Sequence, residues 1–191
     1  EAGGGILSSM RSVRQATVES LVAESLPRIW NAFRHGTTTI EAKSGYGLDT
    51  ENELKLLHAI RQAAAQVPAT LIPTFLGAHA IPPEHKARRE EYVRSVAEEM
   101  IPKVVDEGLA EFCDVFSDTG YFTVEESERI YRAAAERGMK LKVHADELSS
   151  FGGAEMAARV GAVSADHLLM ISEEGIGQMR DAGVVATLLP G

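Results

Sequence analysis

The sequence contains little of several features that mark particular classes of protein. Its 191 residues include one cysteine, Cys113, so no disulfide bond can form within the chain, which fits a reducing cytoplasm. The net charge is -9, there is no basic block and aromatic residues make up 6%, so a nucleic-acid partner is not expected. No apolar run approaches the roughly 20 residues of a membrane-spanning helix, so no membrane partner is expected either.

The sequence does contain a regular alternation of strand-like and helix-like segments. Apolar or β-branched runs typical of strands lie at residues 37–43, 69–76, 111–116, 141–144, 162–167 and 184–189, with helical patterns between them. This alternation predicts parallel βαβ units in an α/β fold. Among the helices we predict one that runs to Arg34 with an interruption at Pro27. We also predict a capping box of Thr50 with Glu53, and a long helix over 84–107.

The polar groups of the chain favour a barrel over an open sheet. They follow several different strands, whereas the site of an open sheet gathers at one switch point. The segment 44–47 lacks the third glycine of a dinucleotide-binding loop, so that fold is rejected. We therefore predict a partial (β/α)8 barrel of the TIM type with parallel strands.

The clearest polar cluster lies at residues 144–147, directly after a short strand. It contains His144, Asp146 and Glu147, and a later strand ends in Asp166 and His167. Neutral imidazole is a common metal ligand, and a nearby carboxylate can hold a proton or orient water. Because the C-terminal ends of parallel barrel strands meet at one face, these groups predict a metal or acid-base site there.

Each candidate also has an ordinary structural explanation. His144 alone fits a core histidine that bonds to the backbone, and Glu147 alone fits a carboxylate of a loop or helix start. Asp166 and His167 fit an ion pair in a loop. Tyr46 and His79 follow two earlier strands and are further candidates. Tyr46 alone fits a packed loop aromatic, and His79 alone fits a turn histidine beside prolines.

Six short motifs stand out along the chain. In order they are Gly3-Gly4-Gly5-Ile6, Glu41-Ala42-Lys43-Ser44-Gly45-Tyr46-Gly47-Leu48, Phe75-Leu76-Gly77-Ala78-His79, Glu111-Phe112-Cys113-Asp114-Val115-Phe116, Val143-His144-Ala145-Asp146-Glu147 and Ala165-Asp166-His167-Leu168. Together they resemble the imidazolonepropionase family of the amidohydrolase superfamily, which acts in histidine degradation. The resemblance runs over essentially the whole chain.

The resemblance implies a fold, a cofactor and a set of residue roles. The chain would carry about strands 2–7 of the barrel, as a single incomplete metal-dependent hydrolase domain over residues 1–191. One zinc or iron ion is implied, with His144 as a ligand. Glu147 would contact substrate and transfer a proton, and His167 would help to activate the attacking water. Tyr46 and His79 would contact substrate.

Parts of the family pattern are missing from the sequence. There is no His-x-His motif of the first strand, no aspartate of the eighth strand and no upstream arginine for the substrate carboxylate. We therefore expect an internal fragment of a longer protein, with an incomplete metal site and no activity of its own. Strand alternation would place Asp146 beside His144, whereas the resemblance favours Glu147. We follow the resemblance, because alternation lapses where a strand gives way to a loop.

The implied reaction of the full-length protein is hydrolysis of the ring amide of 4-imidazolone-5-propanoate to N-formimino-L-glutamate by metal-activated water. Another cyclic-amide amidohydrolase or a deaminase is the nearest alternative, and the motifs of Tyr46 and His79 argue against it. An alternative of another class is a non-catalytic barrel fragment that folds or docks with a partner. The expected partner is a small-molecule substrate. A homodimer is expected for the full-length protein, and its expected location is the cytoplasm.

Overall fold

A computed structural model describes residues 5–189 of the chain. Six parallel strands form one sheet in which each strand pairs with the next along the chain. The strands are β1 (Thr39–Lys43), β2 (Thr70–Ala78), β3 (Phe112–Ser117), β4 (Lys140–Ala145), β5 (Ser164–His167) and β6 (Val185–Thr187). The sheet curls into part of a barrel, so the predicted partial (β/α)8 fold is confirmed. The glycine-rich motif at Gly3 and Gly4 lies outside the described residues.

Helices lie before the first strand and between successive strands. They are α1 (Ile6–Gln15), α2 (Val18–Arg34), α3 (Thr50–Ala64), α4 (Arg89–Ser95), α5 (Ile101–Asp106), α6 (Val124–Ala135), α7 (Gly153–Val160) and α8 (Glu173–Ala182). Among these described helices none is both long and apolar enough to cross a membrane.

Two of the predicted helix boundaries are wrong. Pro27 lies inside α2 and does not interrupt it. The break comes earlier, where Thr17 forms a capping box with Ser20 and starts a new helix. The predicted helix over 84–107 begins only at Arg89, after a short 3-10 turn at Pro83–His85, and contains a π-helical turn at Val96–Met100. The start is late because Pro82 and Pro83 favour a tight turn.

Alternation along the strands separates an apolar core from a polar barrel interior. In β4, Leu141, Val143 and Ala145 are buried and belong to the main hydrophobic core. The residues between them, Lys142 and His144, lie on the opposite face of the sheet. This second face carries charged groups from several strands toward the C-terminal rim.

The two outer strands differ in length from their predicted extents. Strand β1 covers Thr39–Lys43 rather than 37–43, and β6 covers only Val185–Thr187 rather than 184–189. Each has a neighbour on one side only within the six-stranded sheet. Val185 is 62% exposed and Leu188 is 65% exposed, so apolar side chains lie open at the β6 edge.

Candidate active site

A pocket of about 430 Å³ lies at the C-terminal ends of the strands. It brings together the five residues to which the family resemblance gave roles, although they come from four separate loops or strand ends: Tyr46, His79, His144, Glu147 and His167. Asp146 and Asp166, which the sequence analysis also named, do not line it. The side chains that complete the lining include Ile6, Lys43, Ser44, Leu76, Phe116, Tyr121, Leu148 and Leu189. The convergence follows from the parallel sheet, whose strand ends point to one rim.

His144 is held from behind by a buried carboxylate. Its Nδ1 lies 3.1 Å from Oδ1 of Asp114, which is fully buried on the neighbouring strand β3. Burial alone would lower the pKa of His144, but the charge and hydrogen bond of Asp114 raise it overall. Because Nδ1 is engaged by Asp114, Nε2 is the nitrogen that remains for a ligand in the pocket.

Asp114 belongs to a charged cluster inside the barrel that the sequence analysis did not identify. Nζ of Lys43 lies 2.6 Å from Oδ2 of Asp114 and 2.7 Å from Oδ2 of Asp166. Burial alone would lower the pKa of Lys43, but the two carboxylates raise it well above its usual range. A single charged residue within an apolar strand, as in Cys113-Asp114-Val115, was the signal that could have revealed the cluster.

Asp114, His144 and Asp166 could together hold a metal ion. Each offers one ligand atom, and these atoms lie within 4.8 Å of one another. The Lys43 ammonium already bonds to both carboxylates, so an ion between them would have to displace it. The geometry therefore favours Lys43 as the cation of the carboxylate pair. It leaves His144 Nε2 as the donor directed to the pocket.

Glu147 and His167 are neighbours across the pocket. Oε2 of Glu147 lies 3.5 Å from Nε2 of His167, and both side chains are partly exposed. The backbone N–H of Glu147 donates to Oδ2 of Asp118 at 2.9 Å, which fixes the start of its loop. His167 has a φ of 75°, a left-handed conformation that is rare for a residue with a Cβ and costs about 1–3 kcal/mol.

Asp146, which strand alternation would have placed beside His144, instead bonds to the start of helix α7. Its carboxylate is buried and accepts backbone N–H groups at the start of α7, including Phe151 at 2.8 Å and Ala154 at 2.9 Å. These contacts satisfy donors at the helix N-terminus. Its φ of 48° also shows that the extended strand has ended by residue 146, so period-two alternation no longer applies.

Tyr46 and His79 form one wall of the pocket. Their rings pack edge to face with centroids 5.0 Å apart. Nδ1 of His79 lies 2.9 Å from the carbonyl oxygen of Gly45 and donates to it, because that oxygen can only accept. Burial lowers the pKa of His79 to about 4, so the ring is neutral at pH 7.

The predicted capping box of Thr50 with Glu53 is wrong. Asp49 is the N-cap of α3, and its side chain accepts the N–H of Asn52 at 2.8 Å. Glu53 instead turns its carboxylate to the loop that carries Tyr46. Tertiary contacts outweigh the local capping pattern here, because buried backbone N–H groups of the loop need an acceptor and Glu53 provides it.

Cys113 is not a nucleophile of this site. It is fully buried in β3, as expected for an inert core thiol, and burial raises its pKa well above the usual range.

No protein-family model matches the chain. The structure resembles that of 5-methylcytosine deaminase from Klebsiella pneumoniae, with a TM-score of 0.71 and 14% identity, over 95% of this chain and 46% of that one. Adenine deaminase from Arthrobacter aurescens gives a TM-score of 0.68 with 16% identity, over 95% of this chain and 56% of that one. At these identities the likeness concerns the fold alone, and it defines the class as an α/β barrel with parallel strands.

The sequence comparison is more specific. The chain is 56% identical over 191 residues to the imidazolonepropionase of Shouchella clausii, which covers all of this chain and 43% of that protein. It is 52% identical over 189 residues to the imidazolonepropionase of Alkaliphilus metalliredigens, and it spans 45% of that protein. The resemblance inferred from the motifs is therefore confirmed: over its whole length the chain is similar to imidazolonepropionases. It spans less than half the length of these relatives.

Proposed function

We propose that the full-length protein hydrolyses the ring amide of 4-imidazolone-5-propanoate to N-formimino-L-glutamate, as a step of histidine degradation. The observation that carries the proposal is the pocket in which Tyr46, His79, His144, Glu147 and His167 meet, in a chain about half identical to proteins named imidazolonepropionase. We also propose that residues 1–191 form one incomplete barrel domain of this hydrolase.

His144 fits the role of a metal ligand. A histidine that binds a metal commonly donates its other ring N–H to a carboxylate, and Asp114 is placed to accept that hydrogen bond. Nitrogen donors suit zinc and iron alike, so the proposed cofactor is one ion of either metal. One histidine is too few for a tight site, and we expect the other ligands from parts of the protein beyond this chain. When bound, the ion would lower the pKa of a water molecule to about 7 and so favour attack at neutral pH.

His167 and Glu147 provide a path for the proton. His167 accepts a proton from the attacking water as the carbon–oxygen bond forms at the ring carbonyl. Glu147 then gives a proton to the ring nitrogen as the carbon–nitrogen bond breaks. The two side chains lie 3.5 Å apart, so one bridging water or a small approach on substrate binding would let the same proton pass from His167 to Glu147. The step is then balanced without an outside acid.

The pocket residues also bear on substrate binding. Tyr46 and His79 would contact the ring of the substrate. The net charge of -9 does not favour an anionic substrate, and the ammonium of Lys43 is already bonded to two carboxylates. The substrate carboxylate must therefore find its cation elsewhere in the full-length protein.

The single cysteine is compatible with a cytoplasmic enzyme, which is the location we propose. A homodimer of the full-length protein is proposed from the family resemblance.

Replacement of Glu147 by glutamine in the full-length protein tests the proposed reaction. Glutamine keeps the size of the side chain and cannot carry the proton, so turnover should fall by about two to four orders of magnitude. Metal content should stay at the wild-type level. The measurement is formation of N-formimino-L-glutamate, with ammonia followed in the same samples, and Glu173→Gln on the exposed surface of α8 serves as the control.

Two results would contradict the proposal. Wild-type protein that releases ammonia from the substrate, or that leaves it unchanged when loaded with zinc or iron, would exclude this hydrolysis. Near-normal turnover of Glu147→Gln would move the proton transfer to another group.

A further inference from the structure

Glu53 is an unusual carboxylate in this structure. Its side chain is fully buried on α3, and among residues 5–189 no lysine, arginine or histidine forms an ion pair with it. Burial of an unpaired charge is costly unless hydrogen bonds compensate for the lost water. Burial correspondingly raises the pKa of Glu53. The fold therefore retains an unfavourable group at this position, which calls for a structural reason.

The hydrogen bonds of Glu53 all go to the loop that leads out of β1. Oε2 accepts the backbone N–H of Gly45 at 2.8 Å. Oε1 accepts the backbone N–H groups of Gly47 at 2.8 Å and Leu48 at 2.9 Å. One carboxylate thus satisfies three backbone donors within four residues and defines the path of the loop around Tyr46.

The loop cannot easily adopt this path with other residues. Gly45 has a φ of +100°, and a Cβ there would lie 2.9 Å from Leu76 and 3.0 Å from Nδ1 of His79. A Cβ on Gly47 would lie 2.5 Å from the backbone of Asn52. Loop and carboxylate therefore fit each other closely, and a displacement of either is transmitted to the other.

Two pocket residues depend on this loop. Tyr46 lies between the two glycines, with its ring against that of His79. The carbonyl oxygen of Gly45 accepts the Nδ1–H of His79, which leaves Nε2 without a proton in the neutral ring. The position of the Gly45 peptide thus decides which nitrogen of His79 carries the hydrogen.

We propose that Glu53 is a positioning residue for substrate recognition, because it holds the 45–48 loop in the shape that aims Tyr46 and fixes the tautomer of His79. His79 then offers an unprotonated Nε2, which recognises a ring N–H of the substrate and not a carbonyl oxygen. This inference rests on the proposed function for the identity of the substrate.

The first test compares variants of the full-length protein. Glu53→Gln exchanges an acceptor oxygen for an NH2 group that faces backbone donors. Gly47→Ala displaces the same loop by a steric clash and leaves the Glu53 side chain unaltered. Because small misplacements of binding groups can cost up to about 100-fold, both should weaken binding of imidazolepropionate by about 10- to 100-fold. This probe keeps the ring N–H and the carboxylate but has no amide to hydrolyse, and calorimetry measures its binding.

The controls separate positioning from general damage. Glu51→Gln lies on the exposed face of the same helix, and Gly177→Ala places a Cβ in open space; both should bind the probe as the wild type does. Metal content and far-ultraviolet circular dichroism should be unchanged in all four variants. A folded Glu53→Gln or Gly47→Ala protein that binds within about twofold of the wild type would overturn the inference.

A second measurement tests the tautomer of His79, and so keeps the inference refutable even if the variants do not fold. Long-range ¹H–¹⁵N spectra of wild-type protein with ¹⁵N-labelled histidine report which ring nitrogen carries the proton. The signals of His79 are assigned by their loss in His79→Gln, and they should show the proton on Nδ1. A proton on Nε2 would overturn the inference. This result does not depend on turnover, so it stands apart from the hydrolysis assay that tests the proposed function.

Discussion

Removal of the Lys43 ammonium should destabilise the barrel more than the loss of any exposed charge. Lys43 lies 2.6 Å from Asp114 and 2.7 Å from Asp166, whose side chains are 0% and 8% exposed. With an effective dielectric constant of about 20, each contact corresponds to an attraction of roughly 6 kcal/mol before desolvation is subtracted. Lys43→Met keeps most of the volume and leaves the two carboxylates facing each other without the ammonium between them. Loss of one partner of a buried pair costs about 3–5 kcal/mol, and we expect a loss in that range.

The loss should depend on pH in a defined way. Burial alone would raise the pKa of Asp114, but His144 and Lys43 lower it well below its usual range. The stabilisation from this group is therefore present above the unfolded pKa of about 3.9 and is lost as the pH falls toward the folded value. The raised pKa of Lys43 acts in the opposite sense, so its contribution is complete below about pH 10.4 and is lost as the pH rises through the folded value. The difference between wild type and Lys43→Met should be largest between about pH 4 and pH 10.

Urea denaturation of the full-length protein at pH 7 and at pH 3 measures this difference. The control is Lys140→Met, which removes a lysine of β4 whose partner Glu111 is 50% exposed and should cost less than about 1 kcal/mol. Equal losses for the two variants, or a Lys43→Met deficit of the same size at pH 3, would refute the assignment of Lys43 as the cation of a buried pair.

Two further predictions concern the metal and the sheet edges. His144→Ala in the full-length protein should abolish or strongly reduce bound metal, because a site loses affinity with each ligand removed. Elemental analysis measures the zinc and iron content, and unchanged content would exclude His144 as a ligand. The 191-residue chain made alone should associate or precipitate, because β1 and β6 present unpaired edges and Val185 and Leu189 are 62% and 61% exposed. Sedimentation of a stable monomer would contradict this expectation.

The strand pattern and the site motifs could be read directly from the sequence. Strand alternation in segments such as 140–145 is a local property, because apolar side chains every second residue bury one face of a sheet. The barrel then brings the C-terminal strand ends to one rim, which is why the sequence alone could group His79, His144 and His167. Tyr46 was assigned to the site by the family resemblance.

Helix boundaries were less predictable because they depend on which competing interaction is satisfied. Pro27 fits within α2, and the chain breaks instead at Thr17, whose side chain caps the next helix. Thr50 and Glu53 have the spacing of a capping box, yet Glu53 faces the 45–48 loop and Asp49 provides the cap. Local spacing cannot show that the N–H groups of a loop eight residues earlier bond to this carboxylate.

Only the tertiary structure decided which charges support the site. Lys43 bonds to Asp114, 71 residues away, and to Asp166, 123 residues away, because the curled sheet brings their strands around one interior. The same fold commits Asp146 to the start of α7 and leaves Glu147 beside His167. Such pairings depend on the closure of long loops and on the burial that follows, and neither is encoded in the residues next to each charge.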